Sequence, residues 1–531
     1  MQNPLMILRP VDILAISGIL VAFWATKTFV KYVKLRNQTG RAPGPKLLFS
    51  AATAFTRLLP NIPGINRKST WTWEFKYDAF KRYGQDVLAA FAFYPSPRLM
   101  IHIADPHVIK EITSHRLAFQ KPTLVYKITS YFGSNVLAAE GDEWKRHRKV
   151  VAKSFTEQNN KLVWQETVNI VLDLFSEWEK NACLGETRIK DTAALTKDLT
   201  LMVISTAAFG MKLSWGDDGA CPPGHSMTFK KTLHFVGNGL VHRIVLPDWI
   251  LNLYQLGRDT KTAYSEFPMY MREMIDHRMT SPEGREDVFS NLLKAREEEK
   301  DGAATLSDSD LLGNIFVLLF AGHETSATTL AFALSFLAIY PEVQAKWLEQ
   351  IRQCVKPGQL PTYADIPKLN YGLAIIHETL RLQPIVPSIP RQAMNDTQFS
   401  TRKTNDEACT VPVPAGAGLL INVVALHYHP TYWDRPHEFM PERFLGEYHK
   451  DAWLPFFAGA RACIGRRFAE IELLAALALI VQHYEINVTP NPKFARESQE
   501  EQRARLLDIQ QATFILRAKE IGLTFKKRTV V

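Results

Sequence analysis

The chain has 531 residues, 46% hydrophobic and 22% charged, an ordinary globular composition that excludes a fibrous, collagen-like or wholly disordered protein. Its net charge of +9 admits a nucleic acid, an anionic membrane or an acidic protein as partner, and no zinc-finger spacing or other nucleic-acid motif supports the first. Five cysteines, Cys183, Cys221, Cys354, Cys409 and Cys463, include no C-x-x-C pair, which argues against a zinc site or a disulfide framework and for a reducing, cytosol-facing compartment.

The segment Ile13–Thr26 is apolar, broken only by Ser17 and Gly18. With its neighbours up to Val33 it reaches the ~20 residues that a bilayer span needs. Lys27, Lys31, Lys34, Arg36 and Arg41 follow, and the positive-inside rule puts that side in the cytosol. A cleaved signal peptide has a similar apolar core. Here the basic residues come after the core, and no small-x-small cleavage site precedes them. Residues 1–41 therefore read as a membrane anchor with a basic flank, and 42–531 as the main domain. Ala42-Pro43-Gly44-Pro45 is a stiff hinge that no helix can cross. Asp86–Tyr94 and Arg98–Ile103 read as a hairpin, and Asp105-Pro106 as the start of a helix. Trp144 and Arg148, four apart, share one helix face. The basic run 145–149 is equally compatible with a solvated face.

From Leu162 to Met279 the pattern is mainly helical. Ser307 with Asp310 makes a capping-box-like start to the long apolar helix Leu311–Tyr340. That helix is interrupted by Ala321-Gly322-His323-Glu324-Thr325-Ser326. A mid-helix Gly costs ~1 kcal/mol against Ala, and an unpaired buried Glu324 would have a raised pKa. Thr325 can bond back to the Ala321 carbonyl and loosen the turn. An acid beside a hydroxyl on a loosened turn suits proton delivery to activated dioxygen; local hydrogen bonding without chemistry is the plainer reading. Glu378 and Arg381 lie three apart on one face between apolar flanks, ahead of Pro441-Glu442-Arg443-Phe444. Ile385–Pro390 is apolar and extended and leads to Arg391. Thr397–Thr410 reads as a polar surface loop, Val413–Gly416 as a turn between strands, and Asn491–Arg505 as a charged, mobile stretch. Ala512–Arg517 and Ile521–Phe525 read as a closing hairpin.

Near the carboxyl end stands Phe456-Phe457-Ala458-Gly459-Ala460-Arg461-Ala462-Cys463-Ile464-Gly465, followed by the helix-like run Arg466–Ile480. A lone cysteine before an apolar helix is usually a small buried hydrophobe. Here Gly459 and Gly465 permit a tight backbone around the sulfur, the helix N-terminus favours a thiolate, and Arg461 can pair with an anion.

This loop, F-x-x-G-x-R-x-C-x-G, resembles the haem-ligand loop of the cytochrome P450 family. A-G-x-[DE]-T-[TS] at 321–326, E-x-x-R at 378–381 and P-E-R-F at 441–444 match that family's motifs in its order. The resemblance covers roughly Ala42 to the carboxyl end and implies a mainly α fold with a small β region. It implies haem b with Cys463 as axial thiolate, the metal ligand. Phe456 would shield the sulfur, and Gly459, Arg461 and Gly465 would complete the cofactor loop. Trp144, Arg148 and Arg391 would hold the propionates, and Glu324 and Thr325 would be the catalytic pair. Glu378, Arg381 and Arg443 would form a buried structural network, and Phe209–Leu256 would roof the substrate cavity. The implied activity is monooxygenation of a lipophilic small molecule. Its electrons would come from NADPH through a separate membrane-bound NADPH–cytochrome P450 reductase, with Lys145, Lys149, Arg466 and Arg467 as contacts. The implied location is the endoplasmic reticulum membrane, with the catalytic domain facing the cytosol. The chain's style resembles fungal members, many of which decorate terpenoids and other secondary metabolites. Two alternatives stay open: a haem-thiolate isomerase or dehydratase that needs no external electrons, and a non-enzymatic haem carrier or sensor.

Overall fold

Helix α1 spans Pro10–Gln38 in the computed structural model, running on from the apolar segment through its basic flank. Lys and Arg are good helix formers, so nothing stops it before Gly40, whose φ is +59°, and Pro43. The structure describes residues 10–50, 62, 64–65, 71–181, 185–216, 221–280, 287–297, 306–494, 496–511 and 515–529. Cys183, residues 298–305, and residues 512–514 of the expected closing hairpin lie outside them.

The chain divides into two compact units. The first comprises residues 1–121, 387–436 and 451–453. Its core is a six-stranded sheet in the order Lys46–Phe49, Val87–Tyr94, Arg98–Ile103, Gly418–Asn422, Ser388–Ala393, Phe119–Gln120. The expected hairpin is present, with Val87 opposite Ile103 and Phe91 opposite Leu99. Asp105 caps α2 (Pro106–Ser114), accepting from the His107 N–H at 2.8 Å. The expected surface loop at 397–410 is instead an antiparallel hairpin, Thr397–Arg402 with Ala408–Val413. Its first strand alternates, with Phe399 and Thr401 buried between exposed neighbours, and the Thr401 hydroxyl donates to Asp105 Oδ2 at 2.6 Å. Period two, not polarity, was the informative signal there.

The second unit comprises residues 122–386, 437–450 and 454–531. It is built from α3 (Gly141–Lys153), α4 (Glu157–Asn181), α5 (Thr192–Phe209), α6 (Phe229–Val245), α7 (Gln255–Thr280), α8 (Val288–Glu297), α9 (Asp308–Ile339), α10 (Pro341–Cys354), α11 (Asn370–Leu382), α12 (Arg466–His483) and α13 (Gln499–Leu506). Helix α9 is the axis of this unit and packs on α5, α11 and α12. Its capping box is complete: the Ser307 hydroxyl accepts from the Asp310 N–H and the Asp310 carboxylate accepts from the Ser307 N–H. The expected interruption at 321–326 does not occur, and the helix runs through it. Thr325, Thr328 and Thr329 donate to carbonyls one turn back, at 2.8–3.0 Å, so the polar side chains are satisfied without breaking the ladder. Gly322 earns its place by close packing, since a Cβ there would come 2.2 Å from Ile204 Cδ1 on α5.

Two further expectations change. The charged stretch 491–505 contains most of α13, held by a Ser498–Glu501 capping box. The closing strands do not pair with each other. Leu516–Ala518 pairs with Ile509–Gln511, and Leu523–Lys527 lies between Tyr484–Val488 and Glu186–Ile189.

Candidate functional site

The cysteine loop closes on itself before α12 begins. The Cys463 N–H donates to the Phe456 carbonyl at 2.8 Å and the Ala462 N–H to that of Gly459 at 3.0 Å. The left-handed turns sit at Phe457 (φ +58°) and Gly459 (φ +66°). Gly465 has φ −83°, so the expected need for a permissive backbone holds at Gly459 and not at Gly465. Gly465 contributes its N–H instead, as a hydrogen bond to the Cys463 sulfur. Desolvation by the protein packed around the loop pushes the Cys463 thiol pKa up, although the residue keeps accessible surface on its open side; that hydrogen bond and the charges of Arg148 and Arg466 oppose the rise without cancelling it. The Arg466 guanidinium lies 5.3 Å from the centre of the Phe456 ring.

Helix α3 grips this loop. Arg148 donates to the Ala462 carbonyl at 2.8 Å. Buried Trp144, one turn earlier on the same face, carries the Arg461 guanidinium 3.9 Å from its ring centre. Arg461 pairs with Glu140 and donates to the Ala139 carbonyl at 3.1 Å, so the anion it meets here belongs to the protein itself. Arg391 is buried on the Ser388–Ala393 strand of the sheet unit, where it donates to the Pro390 carbonyl at 2.8 Å.

On α9, Ala321 is exposed and Thr325 half-buried one turn later, on a helix otherwise largely buried. Cys463 is likewise exposed at the entry to α12, the helix that packs against α9. A soft sulfur donor with an N–H on it, Arg148 nearby, and an open small-residue face on the neighbouring helix form a donor set that fits haem. The Thr325 hydroxyl donates to the Ala321 carbonyl at 2.8 Å, as its spacing predicted.

Glu324 departs from expectation. It is buried but not unpaired. Lys197 from α5 meets Oε1 at 2.9 Å. Arg517, from the Leu516–Ala518 strand, donates to Oε2 through Nε at 2.9 Å and through a second nitrogen. Burial alone would raise the carboxyl pKa; Lys197, His323 and Arg517 overcome it and bring it down to about 2. His323 is a packed side chain, its Nδ1 2.7 Å from the Leu319 carbonyl and its pKa lowered to about 4, chiefly by burial.

The expected structural network is present. Glu378 and Arg381 are fully buried and joined by two hydrogen bonds of 2.6 and 2.7 Å. Glu378 also accepts from the Met440 N–H at 3.0 Å and Arg443 Nε at 3.3 Å.

A separate trio, Glu143, His147 and Asp310, has metal-like proximity. The Asn314 oxygen accepts from the Val136 N–H at 3.0 Å, so its amide nitrogen is the group that donates to His147 Nδ1 at 2.8 Å. The ring proton then sits on Nε2, the nitrogen 3.7 Å from Asp310 and 4.0 Å from Glu143. That tautomer has no lone pair for a metal, and the trio is a structural cluster.

Sequence reading missed Lys197, Arg517 and Glu472. Lys197 carries no local signal. Arg517 had one, a lone cation between Leu516 and Ala518, which are both buried in a period-two strand. Glu472 had another, a carboxylate at the head of the otherwise apolar run Ile471–Val481 of α12.

A cytochrome P450 family model matches residues 59–511. The chain is 42% identical over 514 residues to cytochrome P450 monooxygenase 124 of Postia placenta, covering 96% of this chain and 98% of that one. It is 27% identical over 461 residues to cytochrome P450 monooxygenase prx9 of Penicillium rubens, covering 78% of each. The crystal structure of the cytochrome P450DA heme domain superposes with a TM-score of 0.73 at 21% identity, covering 92% of this chain and 98% of that one.

Proposed function

This chain belongs to the cytochrome P450 family of oxygen-incorporating monooxygenases, and from that premise we propose that it inserts one oxygen atom from O2 into a C–H bond of a lipophilic small molecule. The observation that carries the reading lies on two helices that pack together: Cys463 is exposed at the entry to α12, and on α9 Ala321 is exposed with Thr325 half-buried one turn later. Cys463 is the residue that would hold haem b through its thiolate, and the haem would supply the oxygen chemistry. The protein's own contribution is positioning. The Gly465 N–H and Arg148 moderate the charge at sulfur. Trp144 and Arg148 fix the loop and are the residues of this unit that would hold the haem carboxylates, a planar guanidinium fork being suited to carboxylate oxygens. Phe456 would shield the sulfur from water. Thr325 holds a hydroxyl proton on the open face of α9, and Glu324, the ionised group next to it in sequence, would relay a proton once its cation partners let it go.

Electrons come, on this reading, from NADPH through a separate reductase. Lys145, Lys149, Arg466 and Arg467 are all exposed and form its docking charges. On the same reading the enzyme sits at the endoplasmic reticulum membrane with its catalytic domain in the cytosol, and the long apolar stretch of α1 supports this. A terpenoid or another secondary metabolite is the proposed substrate class, in keeping with fungal relatives named monooxygenases. The test is spectral and kinetic together. The reduced, carbon-monoxide-treated protein should show thiolate-type absorbance that Cys463→Ser abolishes. Product from a library of lipophilic metabolites should require both NADPH and reductase; product without electrons would make the chain an isomerase or dehydratase.

A further inference from the structure

Arg517 holds two elements at once. Its strand is fixed on both sides, by pairing with Ile509–Gln511 and by the Leu516 N–H donating to the Ile385 carbonyl at 2.8 Å. From that base Nε and one terminal nitrogen hold Glu324 on α9, while the other terminal nitrogen donates to Asn238 Oδ1 on α6 at 2.8 Å. Because the Asn238 oxygen accepts, its amide nitrogen donates onward to His234 Nε2 at 2.9 Å. That requires a neutral ring, and although His234 keeps exposed surface, partial desolvation together with the charge of Lys197 lowers its pKa to about 4. The α6 backbone also lies close to the acid: a Cβ on Gly237 would stand 3.7 Å from Glu324 Oε1 and 3.1 Å from the Phe320 ring. The guanidinium is rigid and planar, so its grips on α6 and on Glu324 are geometrically tied.

In this arrangement both Glu324 oxygens are taken by cations from other elements, and the Thr325 hydroxyl is turned back to Ala321. The acid and the alcohol are side by side in sequence but not connected. We propose that Arg517 is a positioning residue that latches Glu324 away from Thr325 while α6 is seated, and releases it when α6 shifts. Resting on the reading of α6 as the roof of the substrate cavity, the latch makes proton delivery conditional on an occupied cavity. The coupling is reciprocal: whatever frees Glu324 also loosens α6.

Opposite substitutions at one position test this. The full-length, haem-loaded protein is used without substrate. Asn238→Ala removes the α6 grip, and Arg517→Lys keeps the charge but cannot span both partners. Each should speed amide hydrogen exchange across residues 229–245 by about threefold or more. Each should also raise reductase-driven NADPH oxidation and peroxide release in the absence of substrate. Asn238→Asp gives Arg517 a charged partner on α6, and should slow both exchange and leak below wild type. A purely structural Asn238 would not move leak in opposite directions with Ala and Asp. Wild-type exchange and leak in all three variants, with an intact carbon-monoxide spectrum, would overturn the latch. Loss of thiolate-type absorbance in the wild-type protein would instead overturn the haem-thiolate reading on which it rests.

Discussion

Glu472 is a carboxyl group with nowhere to put a charge. It is buried on α12, takes a hydrogen bond with Ser326 of α9, and its Oε1 has no partner among the described residues. Burial raises its pKa to about 8, and the Ser326 hydrogen bond only partly opposes this. A raised carboxyl pKa means that the native state holds a proton the unfolded state gives up. The group's stabilising contribution is complete below the ordinary carboxylate pKa and is lost as pH rises through about 8. Glu472→Gln, which cannot ionise, should therefore gain on wild type by up to about 1.4 kcal/mol per pH unit across that window and level off above it. Melting temperatures of the two proteins from pH 5 to 9 measure this, and parallel curves would refute it. Glu378 tests the opposite case. Glu378→Ala strands Arg381, fully buried, without its carboxylate, at a cost of roughly 3–5 kcal/mol. The expected product is protein lacking haem, and a normal haem-to-protein absorbance ratio would contradict it. At this scale the sequence disclosed which residues mattered better than what state they are in. Glu378 and Arg381 were legible as a pair because they stand three apart on one helix face, and the bend of the Cys463 loop because Gly459 marks it. The charge state of Glu324 was not, because Lys197 and Arg517 reach it from 127 and 193 positions away and only the fold brings them there.

Elements were legible where a cap or a period marks them, and obscured where polarity was taken for looseness. Ser307 with Asp310 announced the start of α9, and Asp105-Pro106 that of α2. The same signature at Ser498–Glu501 marks α13, but the surrounding charge hid it. The segment that enters α6 shows how such a polar stretch is fixed. His225 is stacked on Tyr270 of α7, 3.7 Å between ring centres, with Nδ1 2.6 Å from Glu266 and Nε2 3.0 Å from Glu273. The Ser226 N–H donates to Glu266 as well, at 2.9 Å. Burial would lower the His225 pKa, but its hydrogen bonds to Glu273 and Glu266 outweigh that and raise it. The doubly bonded imidazolium thus pins the segment fully below the ordinary histidine value, and the pin weakens as pH rises through the raised one. With Glu273 largely exposed, the pin contributes roughly 1–2 kcal/mol. Amide exchange at residues 221–228 should therefore accelerate from pH 6 to 8 in the wild type, beyond the intrinsic rate. It should be fast and free of that extra pH dependence in His225→Gln. Matching profiles would remove His225 as the cause.

At the scale of the whole molecule, two properties could hold the protein to a membrane, and they are physically separable. One is the net charge of +9, which acts at a distance and is screened within about 8 Å at physiological salt. The other is α1, whose residues 15–38 are long and apolar enough to cross a bilayer and whose Ile19, Leu20, Val21, Phe23 and Phe29 are exposed. Helix α9 is as long and apolar, but it is a buried core helix. The later turns of α1 are docked on the sheet of the first unit. Tyr32 packs edge-on against Phe91 and Phe93, at 5.1 and 5.2 Å between ring centres, and Trp24 donates to the Pro95 carbonyl at 2.8 Å. The exposed apolar face ahead of that dock is therefore carried by a helix tied to the folded protein. If α1 anchors the chain, the wild type should stay in the membrane pellet through washes in 1 M salt and alkaline carbonate. The double substitution Leu20→Lys, Phe23→Glu puts two charges in the apolar stretch, each costing about 3 kcal/mol at mid-bilayer. It should move the protein to the supernatant with an unchanged carbon-monoxide spectrum, because α1 lies outside the cysteine loop. If charge is what binds, 1 M salt alone should release the wild type, and the double variant, whose net charge is the same, should pellet as the wild type does at low salt.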